Sequence, residues 1–285
     1  MKLASLTDWW IGARPLKPHD ARVVVTGGSA GIGYAIADVF AERGCTIILC
    51  ARNPERLARA QAVLAAAHPD VAIQTIAADL ATDDGIETLR AKLASDTEHN
   101  VDVLVHAAGV GLSGPILEQA PADAERLQRL NITAVTELTR VVLPGMLAKR
   151  SGGVITLASL GGLVPGPYQA DYYASKAHII SWMEALAWEV RRQGVRVTCV
   201  APGPVETRFH ARMGAEGALY RRLMPSLDAK RVARAAVTGF DLGRTLVIPG
   251  ALFTSAALLS RIVPRKAQAA LLGGFLKNRG QSPDA

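Results

Sequence analysis

A tyrosine and a lysine near the middle of the chain have the spacing that acid–base chemistry needs. Tyr172 and Lys176 lie four residues apart in a segment of helical periodicity, residues 171–193, so they share one face of a predicted helix. A free tyrosine has a pKa of about 10, and a nearby ammonium group favours its phenolate, which makes proton exchange feasible near neutral pH. Tyr168 and Tyr173 lack this relation to Lys176. Two exposed helical residues would have the same spacing, so the pair alone does not define a site.

Other candidate residues fall at the same edge of the predicted sheet as this pair. Ser159 ends a predicted strand thirteen residues before Tyr172, and Asn131 lies in the preceding long helix. The segment PGPVET, residues 202–207, follows the end of the next strand. Ligands of open parallel sheets bind beyond the carboxyl ends of the strands. The combination therefore predicts one site that is formed by residues far apart in the sequence.

A glycine-rich segment follows the first predicted strand and opens the first helix. Residues 26–33 read TGGSAGIG, a G-x-x-x-G-x-G spacing that differs from the common G-x-G-x-x-G pattern. Glycines permit a tight turn and let a pyrophosphate approach the backbone at a helix N-terminus. Many glycine-rich loops are only turns, but the strand–turn–helix context favours dinucleotide binding.

The residues after the second and third predicted strands bear on which nucleotide binds. Ala51, Arg52 and Asn53 stand where a carboxylate would bind the ribose 2′-hydroxyl of NAD. An arginine there can instead bind a 2′-phosphate, which favours NADP(H) over the alternative of a solvated loop arginine. Asp79 could accept a hydrogen bond from the adenine amino group while Leu80 packs on the ring, or Asp79 could simply cap the next helix.

Strands and helices alternate along the chain, and the strands are continuously apolar, which indicates a parallel sheet with helices on both faces. We expect one domain over residues 21–250, with a leader at 1–20 and an extension at 251–285. Pro144 is expected to kink or end its helix. The predicted strands are residues 22–26, 46–50, 71–77, 101–107, 153–158, 195–201 and 245–248, and the predicted helices are 31–43, 53–67, 83–95, 122–149, 171–193 and 228–240.

From about residue 22 to residue 248 the sequence resembles the short-chain dehydrogenase/reductase family. The resemblance rests on the TGGSAGIG loop, on an Asn-Ser-Tyr-Lys tetrad in the family's order and on the proline-glycine motif. It implies an α/β fold, a Rossmann-type doubly wound sheet of seven parallel strands. It also implies an oxidoreductase that moves a hydride between a nicotinamide and a carbonyl carbon.

The resemblance assigns roles to the tetrad. Tyr172 would be the acid in carbonyl reduction and the base in alcohol oxidation, helped by the ammonium group and a cationic nicotinamide. Lys176 would bind the nicotinamide ribose and lower the pKa of the tyrosine. Ser159 would hydrogen-bond the substrate oxygen, and Asn131 would hold a water in a proton relay to Lys176.

The resemblance also implies a cofactor-binding set in which the glycine loop cradles the phosphates and Val205 and Thr207 hold the carboxamide of the nicotinamide. The candidates are Gly27, Ser29, Ala30, Gly31, Ile32, Gly33, Arg52, Asn53, Asp79, Leu80, Ala107, Ala108, Gly109, Tyr172, Lys176, Pro202, Gly203, Val205 and Thr207. One motif departs from the family, because His106 and Ala107 stand where Asn-Asn is usual before Ala-Gly. His106 either replaces the lost hydrogen bond or is a satisfied strand-end histidine, and we favour the second interpretation.

The segment after the proline-glycine motif, about residues 206–228, reads as a substrate lid with an apolar inner side and a basic rim. An ordinary amphipathic surface helix would look much the same. Phe209, Met213 and Met224 are the candidate substrate contacts on the lid, beside Ser159 and Tyr172. An apolar ketone or a fatty acyl thioester whose anionic end meets the arginines would suit such a pocket.

The C-terminal extension is apolar and basic. Arg261, Arg265 and Lys266 interrupt its leucines, and Pro264 should break its helix. Such an end can pack against the domain or a second subunit, lie on an anionic membrane, or fray. Trp9–Trp10 in the leader could take part in any of these.

Composition excludes several classes of protein. The 285 residues are 49% hydrophobic with a net charge of +7, but no apolar run is long enough to span a membrane, and no nucleic-acid-binding or metal-binding motif occurs. Cys45, Cys50 and Cys199 suit unpaired thiols in a reducing cytoplasm.

The sequence therefore predicts an NADP(H)-dependent enzyme that acts on a small-molecule carbonyl/secondary alcohol pair. We expect an apolar 3-oxoacyl, steroid-like or other lipid carbonyl, with reduction as the favoured direction. A homodimer or homotetramer through the long helices is the family's habit. The rivals are a catalytically silent NADP(H) sensor or scaffold, which the intact tetrad disfavours, and a nucleotide-sugar dehydratase or epimerase, which has a longer substrate domain.

Overall fold

A computed structural model of the chain describes residues 21–95, 101–215 and 217–277. Trp9–Trp10 lie outside the described residues. Seven parallel strands form one sheet in the order β3-β2-β1-β4-β5-β6-β7, which confirms the predicted doubly wound topology. The strands are β1 (Arg22–Thr26), β2 (Thr46–Ala51), β3 (Ile73–Ala77), β4 (Val103–His106), β5 (Gly153–Leu157), β6 (Arg196–Val200) and β7 (Leu246–Val247).

Helices cover both faces of this sheet, as the continuously apolar strands predict. They are α1 (Gly31–Ala41), α2 (Pro54–Ala67), α3 (Asp83–Ser95), α4 (Pro121–Gln128), α5 (Ala134–Lys149), α6 (Ala170–Val190), α7 (Phe209–Arg212), α8 (Tyr220–Leu223), α9 (Ala229–Asp241), α10 (Ala251–Ser260) and α11 (Arg265–Leu276). One buried cluster joins the sheet to α1, α2 and α9, and a second joins the opposite face to α3, α5 and α6.

Local signals start the helices close to where the sequence predicts. Asn53 caps α2, because its Oδ1 accepts a hydrogen bond of 2.8 Å from the backbone N–H of Arg56, and Pro54 occupies the first helical turn. Asp228 caps α9 in the same way, with 3.2 Å to the Arg231 N–H. The predicted helices therefore begin one residue too early at both positions, since a cap precedes its helix.

Two predictions about proline have different outcomes. Pro144 lies inside α5, and the helix continues to Lys149, so Pro144 does not end the helix, and the alternative of a kink stays a prediction. The neighbouring Val142 and Met146 are buried against the sheet, which holds the helix in place despite the missing N–H. Pro264 does separate α10 from α11, as predicted. In the described part of the chain, no helix is long and apolar enough to cross a membrane.

Candidate active site

The glycine loop is packed so tightly that no side chain fits at its key positions. Gly27 has a φ of +67°, and a Cβ there would lie 2.6 Å from the Ala108 nitrogen. A Cβ at Gly33 would lie 2.6 Å from the carbonyl oxygen of Gly27. The extended Ala30 precedes α1 without a side-chain cap, so the backbone opens the helix N-terminus toward an anion. The predicted loop residues, including Ser29 and Ile32, thus surround one backbone cradle.

Thr207 joins this cradle to the segment after β6. A Cβ at Gly31 would lie 3.3 Å from Thr207 Cγ2, so the two predicted cofactor-binding segments are in contact. Val205 is buried and pairs with Leu227 in an isolated parallel bridge, which fixes the start of the lid. At Gly203 a Cβ would lie 2.5 Å from the Phe253 ring, so the proline-glycine motif packs against α10.

Thr26 is a structural residue of the site that sequence reasoning missed. Its hydroxyl donates to the carbonyl oxygen of Val105 at 3.3 Å and accepts from the N–H groups of Ala107 and Ala108 at 3.2 and 3.3 Å. The end of β1 is thereby tied to the segment after β4, which carries Gly109. The sequence signal that could have identified Thr26 is its place as the first residue of the TGGSAGIG motif.

Helix α6 brings Tyr172 and Lys176 together, as their spacing predicts. Lys176 Nζ lies 5.8 Å from the centroid of the Tyr172 ring and donates to the Leu157 carbonyl at 2.9 Å. The Ser159 hydroxyl, two residues after the end of β5, accepts from the Gly161 N–H at 3.1 Å and is near enough to Tyr172 to act on its pKa. Three members of the predicted tetrad therefore meet at the carboxyl end of the sheet.

The expected lowering of the tyrosine pKa does not hold in the protein alone. Burial raises the pKa of Tyr172 to about 12; the Ser159 hydrogen bond opposes this shift, and Tyr220 adds to it. Burial likewise lowers the pKa of Lys176 to about 8, although Cys199 acts in the opposite direction. Desolvation is the largest cause of both shifts. Tyr172 is consequently a neutral phenol at neutral pH, the form that can donate a proton.

Asn131 lies in a π-helical turn, Arg129–Thr133, that interrupts the long helix predicted over residues 122–149. Its Nδ2 donates to the Val110 carbonyl at 2.9 Å and to Ser175 Oγ at 3.1 Å, and its Oδ1 accepts from the Val110 N–H at 3.0 Å. Such π turns often mark functional sites. Because one lone pair of Oδ1 is left over, the water-holding role stays a prediction.

Gly109 lies close to both Asn131, the fourth member of the tetrad, and Lys176. A Cβ at this position would lie 3.3 Å from Asn131 Oδ1 and 3.6 Å from Lys176 Nζ. Because Gly109 has no side chain, Asn131 Oδ1 and Lys176 Nζ can both lie close to the backbone of the segment after β4.

Asp79 is held by an arginine rather than by the next helix. Its carboxylate accepts from Arg126 Nη2 at 2.7 and 3.0 Å and from the Ala81 N–H at 3.1 Å. Burial raises the pKa of Asp79, but these hydrogen bonds outweigh it and the net shift is downward. Thr82 accepts from the Gly85 N–H at the start of α3, so the capping alternative for Asp79 is wrong. Leu80 is buried in the core beneath α3.

His106 is a satisfied strand-end histidine. Its Nε2 lies 2.9 Å from Thr139 Oγ1, and its side chain is buried. Burial lowers the pKa of His106 to about 3, so the ring is neutral. Directly after His106, the N–H groups of Ala107 and Ala108 are held by the hydroxyl of Thr26.

Tyr172 belongs to an apolar cluster that is formed by three distant segments and contains the predicted substrate contacts of the lid. The Phe209 ring lies 5.5 Å from the Tyr172 ring, and Met213, a second lid residue, is buried in the same cluster. Leu276, from the C-terminal extension, is also part of this cluster, a contact that no local sequence pattern signals. The remaining members are Leu127, Ala215, Ala218 and Tyr220, with Val110, Leu112, Tyr173, Met224 and Leu272 packed against them.

Fold and site together define an oxidoreductase of the Rossmann type, and comparisons with known proteins give its family. The sequence profile of the short chain dehydrogenase family matches residues 21–217, and the chain belongs to that family. Nodulation protein G of Rhizobium sp. (strain N33) is 36% identical over 186 residues, which cover 65% of this chain and 74% of that protein.

Two solved structures extend the similarity to nearly the whole chain. A short-chain dehydrogenase from Sphingobium yanoikuyae in complex with NADPH has a TM-score of 0.76 and 28% identity, covering 93% of this chain and 99% of that one. The bulky-bulky ketone specific alcohol dehydrogenase from Comamonas testosteroni has a TM-score of 0.72 and 26% identity, covering 87% of this chain and 96% of that one.

Proposed function

We propose that this short-chain dehydrogenase reduces an apolar ketone to a secondary alcohol with NADP(H), and that Tyr172 donates the proton. One observation carries the proposal: Tyr172 lies in an apolar cluster, where burial raises its pKa to about 12 and keeps it a neutral phenol, and Lys176 Nζ lies 5.8 Å from the centroid of its ring. A phenol in that state is ready to protonate a developing alkoxide.

The glycine cradle and the basic residues beside it fit a phosphorylated dinucleotide. A Cβ at Gly27 or Gly33 would fill the cradle, so these glycines leave room for a pyrophosphate. Partial burial lowers the pKa of Arg212, and the guanidinium groups of Arg56, Arg52 and Arg208 lower it further. Four like charges are costly together unless an anion lies among them, and a 2′-phosphate is such an anion. The NADPH complex of the Sphingobium yanoikuyae relative supports the same cofactor.

When bound, the reduced nicotinamide supplies the hydride. Ser159 orients the substrate oxygen by a hydrogen bond, and the Tyr172 hydroxyl gives that oxygen its proton. Lys176, held by the Leu157 carbonyl, keeps a positive charge beside the ring and stabilises the phenolate that remains. Asn131 fixes the Val110 backbone on one side and Ser175 on the other, which braces the segment between the two halves of the site.

The pocket wall supports an apolar substrate. Phe209, Met213 and Leu276 pack with Tyr172, and Arg221 and Arg222 directly follow Tyr220, another buried member of the same cluster. A ketone with bulky apolar substituents, or a 3-oxoacyl chain whose anionic end meets these arginines, matches that division. The relative from Comamonas testosteroni, described as specific for bulky-bulky ketones, supports the first of these classes.

The test is Tyr172→Phe, compared with Tyr173→Phe as a matched control on the next residue. We expect Tyr172→Phe to bind NADPH normally and to oxidise it about a hundredfold to ten-thousandfold more slowly with an apolar ketone. The control should keep most of the activity. Equal rates for Tyr172→Phe and the wild type would contradict the proposal. A wild type that binds NADPH but reduces no carbonyl would favour the sensor instead.

We also propose a homodimer or homotetramer in the cytoplasm. Trp188 on α6 is 63% exposed, which is unusual for so large an apolar side chain and supports a contact through the long helices. The three cysteines are buried and unpaired, as suits a reducing compartment. Light scattering of the purified protein measures the first point, because a monomeric mass would contradict it.

A further inference from the structure

The last two helices of the described chain form a pair with two unlike faces. On the inner face, Phe253 and Ala257 of α10 are buried, and the Phe253 ring packs over Gly203 of the proline-glycine motif. Gln268 of α11 donates through Nε2 to the carbonyl oxygens of Ser260 and Val263, at 2.6 and 2.7 Å, which ties the two helices together. The pair is therefore a folded part of the domain.

Helix α11 forms one wall of the substrate side. Leu276 is 2% exposed and belongs to the cluster around Tyr172, and Leu272 packs against that cluster. At the end of the helix, Lys277 Nζ lies 5.9 Å from the centroid of the Tyr168 ring, just before α6. The inner face of the pair thus reaches the candidate active site.

The outer face of the pair carries large apolar side chains in solvent. Among the residues that the structure describes, twelve large hydrophobic side chains are exposed, and six of them belong to this pair and its short connection. They are Leu252 (60%), Leu258 (60%), Leu259 (59%), Ile262 (77%), Leu271 (66%) and Phe275 (38%). Single exposed leucines are ordinary, but a concentrated group marks an interaction surface.

The charged residues of α10, α11 and their connection indicate which kind of partner the outer face would bind. Residues 251–277 contain Arg261, Arg265, Lys266 and Lys277 and no aspartate or glutamate. Lys277 lies over the Tyr168 ring, so a second copy meeting the outer face through a two-fold axis would set the three remaining cations against three cations. An anionic lipid surface, in contrast, offers apolar depth for the leucines and phosphate charge for the cations.

We propose that α10 and α11 dock the protein on an anionic lipid bilayer by this outer face. With 10 and 12 residues, the two helices are too short to cross a bilayer but long enough to lie in its interface. The inner face then holds the substrate pocket against the bilayer surface, so an apolar ketone can enter from the lipid. This last step rests on the function proposed above, whereas the docking does not.

Co-sedimentation of the full-length protein with lipid vesicles tests the docking. We expect binding to vesicles of phosphatidylcholine with phosphatidylglycerol, much weaker binding to phosphatidylcholine alone, and a loss of binding at high salt. Leu258→Glu combined with Ile262→Glu should lower the partition coefficient about tenfold or more. Val63→Glu is the matched control, because Val63 on α2 is 62% exposed and should bind as the wild type does.

A charge variant separates the two contributions. Arg265→Gln with Lys266→Gln should lower binding to the anionic vesicles about tenfold to thirtyfold, at about fivefold per cation, and leave binding to phosphatidylcholine alone unchanged. Absence of binding to anionic vesicles overturns the proposal, as does an equal loss in Val63→Glu.

Light scattering and NADPH oxidation, measured on the same samples, distinguish a failure of the docking proposal from a failure of the proposed reaction. If light scattering shows a dimer that Leu258→Glu/Ile262→Glu dissociates, and no vesicles are bound, the face belongs to a second copy and the proposal is wrong. NADPH oxidation with a water-soluble ketone is measured on the same samples and should be unchanged in this variant. Vesicle binding without any such oxidation would leave the docking in place and remove the proposed reaction.

Discussion

The cofactor half and the substrate half of this molecule are packed in different ways. Around the glycine loop, backbone meets backbone, so that a single methyl group at Gly27 or Gly33 would collide with a main-chain atom 2.6 Å away. On the substrate side, side chains from the lid and from α11 meet Tyr172, and a Cβ at Gly214 or Gly274 would meet nothing within 4 Å. Main-chain atoms therefore constrain the first half, whereas in the second half the atoms that enclose glycines such as Gly111 and Gly166 belong to the side chains of Met213 and Tyr173.

Alanine at a glycine in each half tests this difference, and we expect the largest effect here. Gly33→Ala should lower the free energy of unfolding by about 2–3 kcal/mol and weaken NADPH binding, because the new Cβ would force the Gly27 carbonyl to move. Gly274→Ala in α11 should leave stability unchanged or raise it by about 0.5–1 kcal/mol. Urea denaturation and fluorescence titration with NADPH measure both variants. Similar losses at the two positions would contradict the comparison.

A pair of leucines in α11 tests whether the extension belongs to the substrate half. Leu276→Ala should cost about 2 kcal/mol of stability and raise the KM for an apolar ketone, while the Kd of NADPH stays constant, since Leu276 packs in the Tyr172 cluster. Leu271→Ala, at a position 66% exposed, should change stability by less than about 0.5 kcal/mol. Weaker binding of NADPH by Leu276→Ala would contradict the assignment of Leu276 to the substrate half.

Lys176, which lies between the cofactor half and the substrate half, is a buried ammonium group whose burial lowers the free energy of unfolding. Lys176 has a pKa of about 8 in the folded protein, below its ordinary 10.5, because of burial first. Between these two values the unfolded chain binds more protons, so the stability of the wild type rises with pH across that window. Lys176→Met should abolish activity and be about 1–2 kcal/mol more stable at pH 7.

The advantage of the methionine variant should shrink as the pH is raised from 8 toward 10.5, because the wild-type lysine then loses its charge in the folded state. Urea denaturation at pH 7 and at pH 10 measures this. A constant difference between the two proteins would show that burial of the charge is not its cause.

His106 gives the smallest expected effect, within the cofactor half. The folded pKa of about 3 lies below the ordinary 6.5, so the unfolded chain takes up a proton first as the pH falls, and the wild type loses stability below about pH 6.5. Between pH 7 and pH 5.5 this loss should be about 1 kcal/mol larger in the wild type than in His106→Asn. Thermal melts at the two pH values check it, and parallel curves would contradict the assignment.

The same division explains what the sequence can predict. Strand β1 and helix α3 have the bounds that periodicity predicts, and the glycine loop and the Tyr172–Lys176 pair are local patterns whose geometry follows from secondary structure. The Asp79–Arg126 ion pair joins residues 47 positions apart, so no local pattern indicates it. The π turn at Asn131 is likewise invisible in a helical periodicity.

The substrate wall shows the limit most clearly. The apolar character of the lid predicts that Phe209 and Met213 face the substrate, and both pack near Tyr172. The contribution of Leu276 depends on how α10 and α11 fold back over the domain, and the sequence leaves packing, membrane contact and fraying as open alternatives for that segment. Tertiary packing buries Phe253, Ala257 and Leu276 of this segment, which excludes fraying there, and periodicity does not encode that packing.

The most direct measurement is the rate of NADPH oxidation by the purified protein over a panel of carbonyls, with NADH in parallel. The panel comprises 3-oxoacyl thioesters, steroid ketones, long-chain aldehydes and small polar ketones. We expect turnover of an apolar class with NADPH, and much slower turnover with NADH, because Arg52 and its neighbouring arginines would hold the 2′-phosphate. A preference for NADH, or turnover of small polar ketones alone, would contradict the account.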